Sequence, residues 1–191
     1  MPAARPTREE LLASYDVTIP DLGGPQTRLL LVGINPSLYS AWTGHHFARP
    51  GNRLWRTLHL AGLTRTQLDP ADIAGILAAG IGITNLVARA TARADELSAA
   101  EIRARVEPLR ALVRSWQPEV VAFLGISTYR IAFAAPKAAV GEQPDRFEAA
   151  RSWVLPNPSG LNASYQQPAL TAAYAALRVA ALDGNAARST D

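Results

Sequence analysis

The 191-residue chain contains no cysteine. That excludes disulfide scaffolds, zinc knuckles, thiol nucleophiles and cysteine-ligated iron–sulfur clusters. No stretch approaches the run of about 20 apolar residues that a membrane span needs, and Met1-Pro2-Ala3-Ala4-Arg5 opens no secretory apolar region. A cytoplasmic protein without a membrane partner is the expectation. Acid is missing from one long stretch: none occurs between Asp21 and Asp69, where Arg28, Arg49, Arg53, Arg56 and Arg65 all fall. Lysine is almost missing too, since Lys137 is the single lysine among 19 basic residues. The arginine block sums to a positive field suited to phosphates, or it reflects an arginine-rich, alanine-rich composition and nothing more.

What is present describes one folded domain. At 20.4 kDa, with 48% hydrophobic and 18% charged residues, the chain can bury a sizeable core and is not wholesale disordered. Residues 1–22 and 184–191 mix charges with turn-forming residues and read as tails around a domain spanning 23–183. Inside it, Arg28–Gly33, Ile81–Asn85, Val120–Gly125 and Trp153–Pro156 are short, continuously apolar runs. Continuous rather than alternating hydrophobicity suits strands covered on both faces. The spacers read as helices: Asn52–Leu60, a segment capped at Asp69-Pro70 and running to Leu77, a helix entered at Ser98-Ala99-Ala100-Glu101, and a last one from Pro168 to about Leu182. The rhythm predicts an α/β fold, a three-layer α/β/α domain around a short, mostly parallel four-stranded sheet.

Ligands of open α/β sheets bind beyond the carboxyl ends of the strands. Three of those ends carry asparagine: Asn35 in Gly33-Ile34-Asn35-Pro36-Ser37, Asn85 in Ile83-Thr84-Asn85, and Asn157 in Pro156-Asn157-Pro158-Ser159-Gly160. An amide offers donors and an acceptor that match the edge of a nucleobase or another amide. Asparagine is also common in turns, but three on one edge favour a site. These loops hold no paired carboxylates, no nucleophile–base set and no phosphate-binding glycine signature. His45 and His46 are adjacent with no carboxylate or cysteine near them, and His59 falls in a helix, so neither a metal nor a cofactor is expected.

The loop Gly33-Ile34-Asn35-Pro36-Ser37 through His45-His46-Phe47 resembles the family of mismatch-specific uracil-DNA and thymine-DNA glycosylases. The likeness continues through Pro50-Gly51-Asn52-Arg53-Leu54-Trp55, Gly82-Ile83-Thr84-Asn85-Leu86-Val87-Ala88-Arg89 and Leu155-Pro156-Asn157-Pro158-Ser159-Gly160-Leu161. The resemblance implies a monomeric, cofactor-free enzyme that removes uracil from duplex DNA with G·U or G·T mismatches by base flipping. It implies that Asn35 orients the attacking water and that Phe47 stacks on the extruded base. Ile34, Ser40, His46, Asn85 and Asn157 would line the base pocket. Leu161 would enter the vacated stack, with Ser159, Gly160, Asn162, Arg49 and Arg53 also on the DNA. The chain departs from the family pattern at Ser37, where glycine is usual, at Asn162-Ala163, where several relatives have serine-arginine, and at Ala88. Three rival expectations stand beside it: a non-catalytic binder of damaged or mismatched DNA, a glycosylase for deaminated purines or bulky lesions, and a small-molecule α/β domain.

Overall fold

The structure, a computed structural model, describes residues 5–183; the C-terminal segment 184–191 lies outside the described residues. In chain order the elements are α1 (Arg8–Leu12), β1 (Leu29–Gly33), α2 (Leu38–Thr43), α3 (Leu54–Leu60), α4 (Ile73–Ala78), β2 (Ile81–Asn85), α5 (Ala99–Ala104), α6 (Val106–Trp116), β3 (Val120–Leu124), α7 (Ile126–Ala132), β4 (Gly141–Glu142), β5 (Arg151–Leu155) and α8 (Gln167–Leu177). The sheet order is β2-β1-β3-β5-β4, parallel except for the short antiparallel edge strand β4. The expected four-stranded sheet therefore has five strands. A two-residue Gly-Glu segment carries no apolar run from which to read the fifth.

Alternate residues of the apolar strands point to opposite faces. Leu29, Leu31, Ile83, Ala122, Leu124 and Leu155 pack with Leu54, Trp55, Leu58, Ile76, Leu170 and Tyr174 of α3, α4 and α8. Leu30, Val32, Val121, Phe123 and Val154 pack with Ile102, Leu109, Val113 and Tyr129 of α5, α6 and α7. This is the three-layer α/β/α arrangement, with helices on both faces.

Local chemistry moves several helix ends from where the sequence places them. The third helix starts at Leu54 rather than Asn52, because the Asn52 side chain accepts the Leu54 N–H (2.9 Å) in a turn of its own. Asp72, not Asp69-Pro70, caps α4, accepting from Gly75 N–H. Ser98 does cap α5, but Glu101 turns away to Arg89 (2.6 Å), so only half of the expected capping box forms. The segment expected as an N-terminal tail carries helix α1, capped by Thr7, and Leu22 pairs with Ile83 across the edge of β2. Ser37 caps α2 by accepting from Ser40 N–H (3.2 Å).

Register places the site. Gly33 lies opposite Asn85, and Leu124 opposite Leu155, so β1, β2, β3 and β5 end at one level. Their following loops leave from a single edge, where neighbouring strands β1 and β3 send the chain in different directions.

Candidate active site

At that edge lies a cavity of about 380 Å³ between the loops that follow β1, β2 and β5. Its lining includes Ile34, Asn35, Ser40, His46, Phe47, Arg49, Asn85, Asn157, Ser159 and Leu161, all expected from the sequence. Gly160 lines a smaller adjoining cavity of about 310 Å³ instead, while Arg53 and Asn162 line neither. Among the described residues no cluster of three or more His, Cys, Asp or Glu gathers to hold a metal, and no helix is long and apolar enough to cross a membrane.

Asn35 is held in one orientation. Its Nδ2 donates to the Arg89 carbonyl (3.1 Å) and to Thr91 Oγ1 (2.7 Å). A carbonyl can only accept, so the amide nitrogen must face it. Thr91 Oγ1 in turn donates to the Arg93 carbonyl (2.7 Å), which leaves its lone pairs for Asn35. Oδ1 has no partner among the described residues and is the acceptor that Asn35 offers in the cavity lining.

A second chain of donors fixes Asn85. Buried His46 (5% exposed) places Nε2 against the Pro20 carbonyl (3.0 Å), so Nε2 carries the proton and Nδ1 the lone pair. Asn85 Nδ2 donates to that Nδ1 (3.2 Å), leaving its own Oδ1 over Gly33. A Cβ on Gly33 would come within 2.4 Å of that oxygen and 2.9 Å of Phe47 Cζ, so only glycine lets the amide and the ring close over the strand end. Burial holds the His46 pKa below the ordinary imidazole value, against the opposing pull of the Pro20 carbonyl and Asp21. The folded state then takes up the His46 proton later than the unfolded chain does. Stability associated with neutral His46 is complete above about pH 6.5, the ordinary value, and drains away as pH falls below it. A proton-resolved histidine titration should show His46 titrating below about pH 6.5; a midpoint above that value would contradict the neutral acceptor at Nδ1.

Phe47 sits beside the two amides in left-handed backbone (φ 52°), a conformation uncommon for a non-glycine residue. Its carbonyl accepts from Trp55 Nε1 (3.3 Å), and its half-buried ring packs against the core while lining the cavity. The surroundings thus hold strain at a residue whose ring lines the cavity. Phe47→Ala should weaken binding of a planar base by about 1–3 kcal/mol, the usual worth of base–aromatic stacking, with a smaller loss of stability from the ring's core contacts. A melting-temperature drop that parallels the activity loss would make Phe47 a packing residue. Ser40, fully buried, holds the preceding turn by accepting from Ala48 N–H (3.2 Å).

The loop after β5 shapes the cavity mouth. Asn157, expected as a base-facing amide, spends its Oδ1 on Ser159 N–H (2.9 Å), and its carbonyl accepts from Asn162 Nδ2 (2.9 Å). Asn162 is therefore a loop builder. A Cβ on Gly160 would meet the Gly51 carbonyl oxygen at 2.5 Å, so the loops around Gly51 and Gly160 press together backbone to backbone. At the crest Leu161 is 75% exposed, the most exposed of the large hydrophobic side chains among the described residues. Arg49 is exposed and lines both cavities, and its guanidinium makes no hydrogen bond or ion pair among the described residues. Arg53, expected on DNA phosphates, is committed elsewhere: Nη1 donates to the Tyr165 carbonyl (2.6 Å) and Nη2 to those of Ser159 (2.6 Å) and Asn162 (3.0 Å).

Sequence reading missed the wall formed by Thr91 and by Arg93, Ala94 and Asp95 of a 3₁₀ turn (Ala94–Glu96). Asp95 puts a carboxylate at the cavity, where none was expected, and pairs it with Arg93 (Nε–Oδ1 3.0 Å). Thr91 lies 56 residues from Asn35, and no local pattern marks the pairing.

The fold and site together define an α/β protein whose sheet-edge cavity is closed by fixed amides and an aromatic ring, beside an exposed apolar loop. Residues 20–181 match the family described as the uracil DNA glycosylase superfamily, and the chain belongs to it. Its fold is also that of a candidate uracil DNA glycosylase from Methanosarcina acetivorans solved in solution by NMR. That match has 18% identity and a TM-score of 0.61, covering 86% of this chain and 97% of the other.

Proposed function

We propose that this chain is a monofunctional DNA glycosylase that removes uracil from mismatched duplex DNA, acting as a cytoplasmic monomer on G·U and related pairs such as G·T. The observation that carries the reading is the Asn35 amide, held by two acceptors on Nδ2 so that Oδ1 remains for the cavity. An acceptor there receives a hydrogen bond from a water molecule and turns the water's lone pair toward the deoxyribose carbon. The target base leaves the stack, at a cost of a few kcal/mol that is least for a mismatched pair. Phe47 stacks on it, and Leu161 fills the gap. As the glycosidic bond breaks, its electron pair passes to the base. The water oxygen bonds to the sugar carbon and releases its proton to solvent. Main-chain N–H groups of the pocket stabilise the charge growing on the base oxygens.

Uracil anion is a tolerable leaving group, so the step requires no strong acid. Asparagine takes up no proton at neutral pH, and losing general-base help typically forfeits about 10²–10⁴ in rate. The enzyme is accordingly slow, and selectivity comes from the ease of flipping. A gel assay of G·U, G·T, A·U, hypoxanthine and single-stranded uracil oligonucleotides tests the reading. Abasic product from G·U supports it. Salt-dependent G·U binding without product over hours would favour the mismatch binder, and product from hypoxanthine alone would favour the purine-lesion enzyme.

A further inference from the structure

The guanidinium of Arg53 faces no carboxylate among the described residues, although it is a cation held partly inside the protein. Instead its two terminal nitrogens gather three main-chain carbonyls of one loop, Ser159, Asn162 and Tyr165, at 2.6, 3.0 and 2.6 Å. One nitrogen, Nη2, bridges the carbonyls two residues before and one residue after Leu161. The Arg53 backbone N–H adds a fourth contact, to the Pro158 carbonyl (3.0 Å). Nε is buried without a partner among the described residues, so the side chain's hydrogen bonds there all come from its two terminal nitrogens.

The clamp is rooted in rigid structure. The Arg53 carbonyl accepts from Thr57 Oγ1 (2.7 Å) in the first turn of α3, whose Leu54, Trp55 and Leu58 are buried in the core. The loop it grips has the opposite character. Leu161 is 75% exposed, and water drives such a side chain to fold back against the apolar surface nearby. Holding the backbone on both sides of Leu161 keeps it outward. Drawing three carbonyl oxygens inward also removes the negative ends of those peptide dipoles from the face that meets phosphates.

We propose that Arg53 is a positioning residue that preorganises the 159–165 loop for insertion into the base stack, and that it makes no phosphate contact. The proposal rests on the reading of Leu161 as the residue that enters the duplex. Lysine keeps the charge but is a single point that does not span three carbonyls.

The test compares wild type with Arg53→Lys and Arg53→Gln. Without DNA, amide hydrogen exchange over 159–165 should quicken at least tenfold in both variants while exchange in β1 and β3 stays unchanged. Single-turnover excision from a G·U duplex should fall at least tenfold more than excision from single-stranded uracil DNA. The salt slope of duplex binding should match wild type; loss of one phosphate contact would instead lower it by about 0.9. A lowered slope, unchanged loop exchange, equal losses on both substrates, or unfolding of both variants would each overturn the proposal. A wild-type protein that releases no base would sink the glycosylase reading, while the exchange measurement would still decide the clamp.

Discussion

Asn35→Ala is expected to lose base release by about 10²-fold or more, the cost of misplacing a reacting group by about 1 Å, while duplex binding and melting temperature stay near wild type. The reason is the asymmetry of the amide. Nδ2 is spent on Arg89 and Thr91, so the mutation removes the single acceptor that Asn35 offers in the cavity. The residue is only half-buried; Thr91 Oγ1 keeps its bond to Arg93, and the Arg89 carbonyl alone loses the donor described for it. Stability therefore moves little. Single-turnover rates with protein in excess separate this chemical loss from weakened binding, and rates equal to wild type would remove Asn35 from the mechanism.

Leu161→Ala carries the second large effect. The side chain stands at the crest of a loop with no charged residue from Ser152 to Leu177. Such a loop enters a base stack without desolvating an ion. Inserted apolar side chains offset the cost of unstacking. Truncation should lower excision from paired G·U DNA at least tenfold more than from single-stranded uracil, where no stack has to be filled. The salt slope should be unchanged, since Leu161 touches no phosphate. Because the side chain is exposed, the folded state loses almost no packing, and a large fall in melting temperature would identify a core residue instead. Equal losses on the two substrates would contradict insertion.

The architecture was legible because four strands are covered on both faces and must therefore be apolar throughout. β4 escaped notice, since two residues at an edge bury too little to leave a pattern. Helices α2 and α7 were hidden for a related reason: at six and seven residues each is too short to show a helical apolar period. The three asparagines were visible at the strand ends, but their roles were not. Whether an amide offers oxygen or nitrogen depends on partners far away in sequence, as Thr91 does for Asn35 and Pro20, through His46, for Asn85. Asn157 faces a partner two residues on and became a turn. Arg53 reads as a phosphate contact because an arginine flanking a binding loop in an acid-free stretch suggests one, whereas in the structure its terminal nitrogens hold loop carbonyls. Capture of carbonyls more than 100 residues away leaves no trace in composition.

The account rests on fixed amides and an apolar insert working on a base that leaves the stack easily, and one comparison tests that most directly. With protein in excess, single-turnover formation of abasic sites is followed on two duplexes that differ only in the base opposite uracil. Abasic product should form from both, faster from G·U than from A·U, because the weaker pair costs less to open. Equal rates from the two duplexes, or uracil retained in both, would contradict it.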